Sequence, residues 1–184
     1  MSGSVRSGSH RLRTNGALMM RFVAGVIIAW LALTSPSMAQ DLAWSEYRDE
    51  HLVLSLSLPT RVFRLERSAD AGDGHLFRTK DGRGQLLIGA LENTEGHTPA
   101  TYQRLIARRS YPGFDVDYAP VGRSWSVLSG KRDGTIFYEK VNFSCGGTVI
   151  NSFALTYPTE QRDLFDGIVE EIEDTFRVGA GSCS

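Results

Sequence analysis

The alternation of apolar and polar residues along the chain predicts a series of short β-strands. The clearest example is segment 52–58, in which Leu54, Leu56 and Leu58 alternate with serines and would face one side of a sheet. Similar segments recur in the second half, separated by turns that contain glycine. The predicted strands cover residues 44–48, 52–58, 75–80, 85–91, 114–120, 124–130, 135–144 and 148–157.

Two other segments show the spacing of amphipathic helices. The first begins at Thr98-Pro99, because threonine is a good N-cap and proline suits the first helical position. The second follows Thr159 as its predicted cap, with one apolar stripe and an acidic opposite face. The pattern predicts an α+β domain: a central antiparallel sheet of about six to eight strands in hairpins, with one mid-chain helix and one C-terminal helix packed on it.

The N-terminal segment has the pattern of a secretory signal peptide. Arginines up to Arg21 precede an apolar run at 22–33, and Ser37 and Ala39 place small residues at the −3 and −1 positions of a cleavage site. The run has roughly a dozen residues, whereas a membrane-spanning helix needs about 20. The alternative is an uncleaved anchor.

The predicted organisation is a signal peptide with an extended N-terminal region over 1–39 and a single domain over 40–184. Translation from Met19 or Met20 instead of Met1 would give a signal peptide of more usual length. The mature domain is therefore expected to be periplasmic or secreted, and not to span a membrane once the signal peptide is removed.

The charge of the mature domain argues against nucleic-acid binding. Four of the 20 Lys and Arg residues and none of the 21 Asp and Glu residues precede Gln40. The mature domain then carries 16 basic and 21 acidic residues, a net charge of −5. Such a balance favours solubility and gives no electrostatic reason to bind nucleic acid.

Two cysteines, Cys145 and Cys183, lie in the exported part and are predicted to form a disulfide, because thiol pairs tend to oxidise outside the cytoplasm. The alternative is two independent thiols. No Cys-x-x-Cys motif occurs, and its absence excludes both a zinc ribbon and a thioredoxin-type redox centre. Asp70, Asp73 and His75 do not have the spacing of a calcium loop, and a polar surface loop explains them better. No metal and no cofactor are predicted.

Four segments carry a resemblance to a known family: 125–130 (WSVLSG), 136–140 (IFYEK), 149–158 (VINSFALTYP) and 172–177 (IEDTFR). They resemble a family of uncharacterised secreted proteins of alphaproteobacteria, and the order of strands and helices is similar to the PsbP-like fold. The resemblance implies a central antiparallel sheet with helices on both faces and a non-catalytic binding or assembly role. It brings no catalytic motif.

One group of residues departs from the strand pattern. Glu139 interrupts the apolar row that starts at Phe137, and Asn151 interrupts the row on the next strand. If both rows share a face, the connecting loop must contain an odd number of residues, most simply Cys145-Gly146-Gly147. This loop would place Glu139 diagonal to Asn151 on the neighbouring strand. A similar odd loop at residues 131–133 would set Trp125 opposite Glu139.

Trp125, Glu139 and Asn151 are therefore candidate binding residues, with Arg108 or Arg109 closing the charge. One hypothesis is a small pocket with a carboxylate of raised pKa. The favoured interpretation is a buried structural network.

Two functions follow from this sequence. The favoured one is an exported, non-catalytic binding or assembly module for an unknown envelope protein or small ligand. The alternative is a small hydrolase-like enzyme that uses Glu139 in a pocket on the sheet face. No nucleophile, metal site or other catalytic motif accompanies that carboxylate in the sequence.

Overall fold

Ten strands and two helices make up the part of the chain that the computed structural model describes, residues 42–68, 74–179 and 183. The predicted signal peptide, Asp70 and Asp73 lie outside these residues. The strands are β1 Trp44–Asp49, β2 Leu54–Pro59, β3 Phe63–Ser68, β4 Gly74–Thr79, β5 Gln85–Glu92, β6 Asp115–Tyr118, β7 Trp125–Arg132, β8 Thr135–Ser144, β9 Val149–Pro158 and β10 Arg177–Val178. The helices are α1 Pro99–Arg109 and α2 Arg162–Thr175.

The strands form two antiparallel sheets. Seven of them make the main sheet, in the order β3-β4-β5-β9-β8-β7-β6, and β1-β2-β10 make a smaller sheet. The α+β class, the central antiparallel sheet and the mid-chain and C-terminal helices confirm the sequence prediction. The small sheet was not predicted, and β10, a two-residue strand after α2, gives no pattern by which it could be recognised.

Both faces of the main sheet are covered by a helix. On β8, Ile136 and Tyr138 pack in the core that includes the buried stripe of α2, whereas Phe137 and Val141 pack in the core that includes Ile106 of α1. Successive residues of a strand point to opposite faces. The middle strands are therefore apolar on both sides, and an apolar row alone does not identify its face.

The hairpin loops around β8 set a register that differs from the predicted one. Ser144 pairs with Val149, which leaves a four-residue loop, in which Cys145, Gly146 and Gly147 all have positive φ. Before β8, Arg132 pairs with Thr135 across a two-residue turn. Both predicted odd loops are wrong. The pairing is shifted by one residue from the predicted register, so the apolar row of β8 that contains Glu139 and the row of β9 that contains Asn151 lie on opposite faces of the sheet instead of sharing one.

The two helices begin differently. The Thr98 hydroxyl accepts a hydrogen bond from the Thr101 amide (3.2 Å), and Pro99 is the first helical residue, which confirms the predicted start of α1. The prediction that Thr159 caps the last helix is wrong, since Thr159–Gln161 form a 3-10 turn and α2 begins at Arg162 without a side-chain cap.

A disulfide joins Cys145, in the β8–β9 loop, to Cys183 near the C-terminus, with Cα atoms 5.0 Å apart. It confirms the predicted pairing. Within the described ranges, no helix is long and apolar enough to cross a membrane.

Candidate functional site

Glu139 lies in the middle of β8, on the face that α1 covers, and is 8% exposed. The predicted burial of Glu139 is therefore confirmed. Its Oε2 accepts a hydrogen bond from the Tyr111 hydroxyl at 2.7 Å. Burial raises the pKa of Glu139 to about 7, against the opposing effect of the Tyr111 hydrogen bond. The cross-strand neighbours of Glu139 are Leu128 and Ala154, so the carboxyl group has apolar surroundings within the sheet.

The other predicted members of this group lie on the opposite face. Asn151 pairs with Asn142, and its side chain donates to the Leu52 carbonyl (3.2 Å) and accepts from the Ser144 hydroxyl (2.8 Å). Trp125 also pairs with Asn142, is 38% exposed and packs closely against Gly122. The expected juxtaposition of Trp125, Glu139 and Asn151 is therefore wrong.

Arg108 and Arg109 lie in the last turn of α1, and both are exposed. Neither forms an ion pair with Glu139 within the described residues. The partner of Glu139 is instead Tyr111, which the pattern of strand rows could not indicate because it follows the helix. The Tyr111 ring stacks on Phe137 with centroids 3.6 Å apart, so the donor is held by packing.

A cleft of about 410 Å³ lies on the other face of the sheet, between α2 and strands β6, β7 and β8. Two tyrosines form much of its floor, and each is bonded to a carboxylate of α2. Tyr138 donates to Glu173, and Tyr157 donates to Asp166 over 3.0 Å. Its lining residues are Asp117, Tyr118, Ser129, Gly130, Lys131, Ile136, Tyr138, Tyr157, Arg162, Asp166, Val169, Glu170 and Glu173.

Each of these two carboxylates also accepts a hydrogen bond from a basic side chain. The Lys140 ammonium donates to Glu173 over 2.7 Å, and the Arg162 guanidinium donates to Asp166 over 2.9 Å. Burial, together with the adjacent carboxylates, raises the pKa of Tyr138 and of Tyr157 well above the usual range. Both hydroxyls therefore remain protonated at neutral pH and act as donors to α2.

This cleft was not predicted from the sequence. The pattern of the last helix predicts a single acidic face, whereas Asp166 and Glu173 are partly buried at the border of the apolar stripe. Their spacing could have been informative: residues 166, 170 and 173 follow i, i+4, i+7 spacing and so lie along one side of α2. Tyr138 and Tyr157 occupy apolar rows, where a buried hydroxyl needs a partner.

A third polar cluster joins the small sheet to the main sheet. Asp49 of β1 accepts from the amides of His51 (2.9 Å) and Leu52 (2.7 Å), and His75 of β4 lies 2.7 Å from it. Burial raises the pKa of Asp49, but the hydrogen bonds from Leu52 and His75 outweigh burial and leave it below the usual range. The cluster has the contacts of a structural cap rather than of an open site.

No group of three or more His, Cys, Asp or Glu side chains is placed to hold a metal ion in the part of the chain that the structure describes.

Comparison with known proteins shows the fold. No family model and no curated protein matches the sequence. Cyanobacterial PsbP (CyanoP) from Synechocystis sp. PCC 6803 superposes with a TM-score of 0.56 at 14% identity, over 80% of this chain and 99% of that one. The Saccharomyces cerevisiae Ran-binding protein Mog1p superposes with a TM-score of 0.55 at 7% identity, over 77% of this chain and 98% of that one. At these identities the likeness concerns architecture alone, and the chain has a fold similar to PsbP and Mog1.

Proposed function

We propose that the protein is an exported, non-catalytic binding or assembly module that holds a partner protein of the cell envelope at the cleft between α2 and strands β6–β8. The observation that carries the proposal is the cleft. Its volume of about 410 Å³ is within the range of ligand sites, and its lining combines tyrosines with charged groups of both signs.

The fold supports a binding role by analogy. One of the structures with a similar fold is, by its own name, a Ran-binding protein. Fold analogy is a weaker argument than site geometry, because one fold can carry many functions. The analogy and the cleft nevertheless favour the same class of function.

Two features support a location outside the cytoplasm. The first is the signal-peptide pattern that ends at Ala39. The second is the disulfide between Cys145 and Cys183, since such bonds form and persist mainly in oxidising compartments. We therefore propose that the protein acts in the periplasm or the extracellular space. We also propose that it belongs to the family of secreted alphaproteobacterial proteins that its sequence resembles.

The geometry around Glu139 favours a structural role over hydrolysis. A pKa of about 7 would suit an acid or base, and this observation favours the enzymatic alternative. However, Glu139 is 8% exposed, its carboxylate is already bonded to Tyr111, and it does not line the cleft. A catalytic carboxylate needs access to substrate and a second reacting group.

Site-specific photo-crosslinking in the cells that make the protein would test the binding function. A photoreactive amino acid would replace Lys131, on the cleft wall, or Arg64, an exposed position on β3 at the far edge of the main sheet. We expect a discrete adduct with one envelope protein from position 131 and none from position 64. Equal labelling at both positions, or no adduct from position 131, would contradict the proposal.

A further inference from the structure

We infer that the cleft between α2 and β6–β8 takes a positively charged side chain, a lysine or an arginine, from an exposed segment of the partner protein. The inference rests on the proposed function, since it assigns the chemistry of the group that the same cleft receives. It follows from the donors, the charges and the exposure of the lining residues.

Three of the four hydroxyl groups that line the cleft, all except that of Tyr118, already donate a hydrogen bond within the protein. Tyr138 donates to Glu173, Tyr157 donates to Asp166, and Ser129 donates to the Phe137 carbonyl over 2.9 Å. A hydroxyl whose proton is used still offers lone pairs on its oxygen. These three oxygens therefore present acceptors to a ligand, and the matching ligand is a hydrogen-bond donor.

The charges of the lining residues also favour a ligand that donates hydrogen bonds, and specifically a cation. Four carboxylates line the cleft and only two cations do, Lys131 and Arg162. Glu173 is neutralised by Lys140 and Asp166 by Arg162. The two other carboxylates, on Asp117 and Glu170, are exposed and form no ion pair with a described residue. Two carboxylates therefore remain against the single cation of Lys131, and the net charge left for a ligand is negative.

Asp117 is close enough to the cleft floor for its charge to be felt there. Burial and the contact with Asp166 raise the pKa of Tyr157. The charge of Arg162 opposes this rise, and the charge of Asp117 adds to it. The hydrogen bond with Asp166 raises the pKa of Arg162, and the charge of Asp117 also contributes to that rise. Asp117 and Glu170 belong to β6 and α2, two of the elements that border the cleft. An ammonium or guanidinium group between them would interact with both exposed carboxylates.

The surroundings favour a side chain presented by a protein. The ring of Tyr118 is 54% exposed and lines the cleft, where it offers apolar contact to the methylene stem of a lysine or arginine and a ring for the cation. The outward face of α2 adds the exposed residues Asp163 and Asp174, which would attract a basic segment.

The principal test is a titration of the 15N-labelled mature domain with a short peptide that has one lysine between glycines and serines. The control peptide carries norleucine in place of lysine and so removes only the charge. We expect amide shifts at Tyr118, Lys131 and Glu170 with the lysine peptide, and at least tenfold weaker binding of the norleucine peptide. Equal binding of the two peptides would overturn the inference.

Variants of the two unpaired carboxylates connect this effect to the cleft. We expect the double substitution Asp117→Asn with Glu170→Gln to weaken binding of the lysine peptide at least tenfold, without changing the unfolding midpoint. The matched control is Glu171→Gln, an exposed neighbour on α2 that does not line the cleft, and binding should stay within twofold. An equal loss in the control variant would show general attraction to an acidic surface and would overturn the assignment.

A polyamine offers the same charge without a protein. Spermidine is therefore titrated in parallel, and tighter binding of spermidine than of the lysine peptide would overturn the assignment to a protein side chain. The crosslinking experiment separates the two proposals. An adduct at position 131 without lysine-peptide binding would refute the cation site and leave the binding function intact. Lysine-peptide binding at the cleft without an adduct would support the cation site and contradict the proposed function.

Discussion

The Tyr111 hydroxyl donates a hydrogen bond to Glu139 Oε2 over 2.7 Å and so ties the segment after α1 to the middle of β8. The Tyr111 ring stacks on Phe137, the residue two positions before Glu139 on the same face. A tyrosine hydroxyl can bond to either protonation state of a carboxyl group. Ionisation of Glu139 therefore changes the solvation energy of the site without removing its hydrogen bond.

The first prediction concerns stability and pH. Burial raises the pKa of Glu139 from 4.5 to about 7, so the folded state binds this proton more tightly than the unfolded state. The contribution of Glu139 to stability is fully present below pH 4.5 and falls as pH rises toward 7, by an amount on the order of 3 kcal/mol. Denaturant unfolding between pH 4 and pH 8 should show this fall as a difference between the wild type and Glu139→Gln.

Glu139→Gln is the appropriate reference because it keeps an acceptor for Tyr111 and loses the titrating group. Subtracting its profile removes the contributions of all other groups. A wild-type-minus-Gln difference that is flat across this range would mean that Glu139 keeps an ordinary pKa in the fold.

The second prediction concerns the hydrogen bond itself. Glu139→Ala leaves the buried Tyr111 hydroxyl without its acceptor and creates a cavity, so the unfolding free energy should fall by roughly 2–4 kcal/mol. Tyr111→Phe removes the donor together with its hydroxyl and should cost less than Glu139→Ala. Chemical denaturation at pH 5, where the carboxyl group is mostly protonated, is the suitable measurement. An unchanged midpoint for Glu139→Ala would show that the pair does not support the fold.

Local sequence signals were sufficient to recognise both helices, the start of α1 and most strands, but not the start of α2. Thr98-Pro99 identified the start of α1 because both residues act within one helical turn. The alternating leucines of β2 were buried as expected, since the small sheet has one buried face. Such features depend on residues that are close in sequence, so they can be recognised from a single amino-acid sequence.

The candidate site depended on register, and register depended on two loops. Asp133 and Gly134 have φ of 47° and 77°, the signature of a two-residue hairpin turn for which Asp-Gly is a preferred sequence. The Asp-Gly signal is present in the sequence, but the predicted register rested instead on the assumption that the apolar rows share a face. Because α1 and α2 cover opposite faces, Glu139 and Asn151 could each lie in an apolar row without meeting.

The third prediction compares two glycines. A Cβ on Gly130 would clash with the Asp115 carbonyl and approach Val116 Cα and Phe137 Cε1 to 2.9 Å, so Gly130→Ala should force β6 away from β7 and cost about 1–3 kcal/mol. Gly167 lies within α2 with open space around it, and Gly167→Ala should stabilise the protein by up to about 1 kcal/mol. Thermal unfolding of both variants checks the two signs. Similar midpoints for the two variants would contradict the packing argument.

The fourth prediction concerns the N-terminus. Cleavage after Ala39 should leave Gln40 as the first residue of the exported protein, because Ser37 and Ala39 satisfy the small-residue preference of the signal-peptide cleavage site. Intact-mass measurement of protein from the periplasm or medium is the direct check, and Ala39→Tyr should retain the unprocessed precursor. A mature protein that keeps residues 1–39 would favour the anchor.

The fifth prediction concerns the disulfide. Cys145 and Cys183 are 38 residues apart in sequence, and closing a loop of that length in the unfolded chain accounts for about 4 kcal/mol of stability. Reduction should therefore lower the unfolding free energy by several kcal/mol. Local opening should increase most near the C-terminus, because the bond attaches Cys183 to the β8–β9 loop, while β10 pairs with β2 through only two residues.

Hydrogen exchange in the oxidised and reduced protein can separate these effects. We expect new, local exchange in β10 and its partner residues Leu54 and Ser55. Amides of β8 and β9 that exchange only through global unfolding should exchange faster by the amount that corresponds to the loss of unfolding free energy. The variant Cys145→Ser with Cys183→Ser should match the reduced wild type and control for effects of the reductant. If both thiols of the exported protein react with an alkylating reagent before reduction, the bond does not form in the cell. The segment after α2 is then held by the pairing of β10 with β2 and by the packing of Phe176 in the core that also includes the buried stripe of α2.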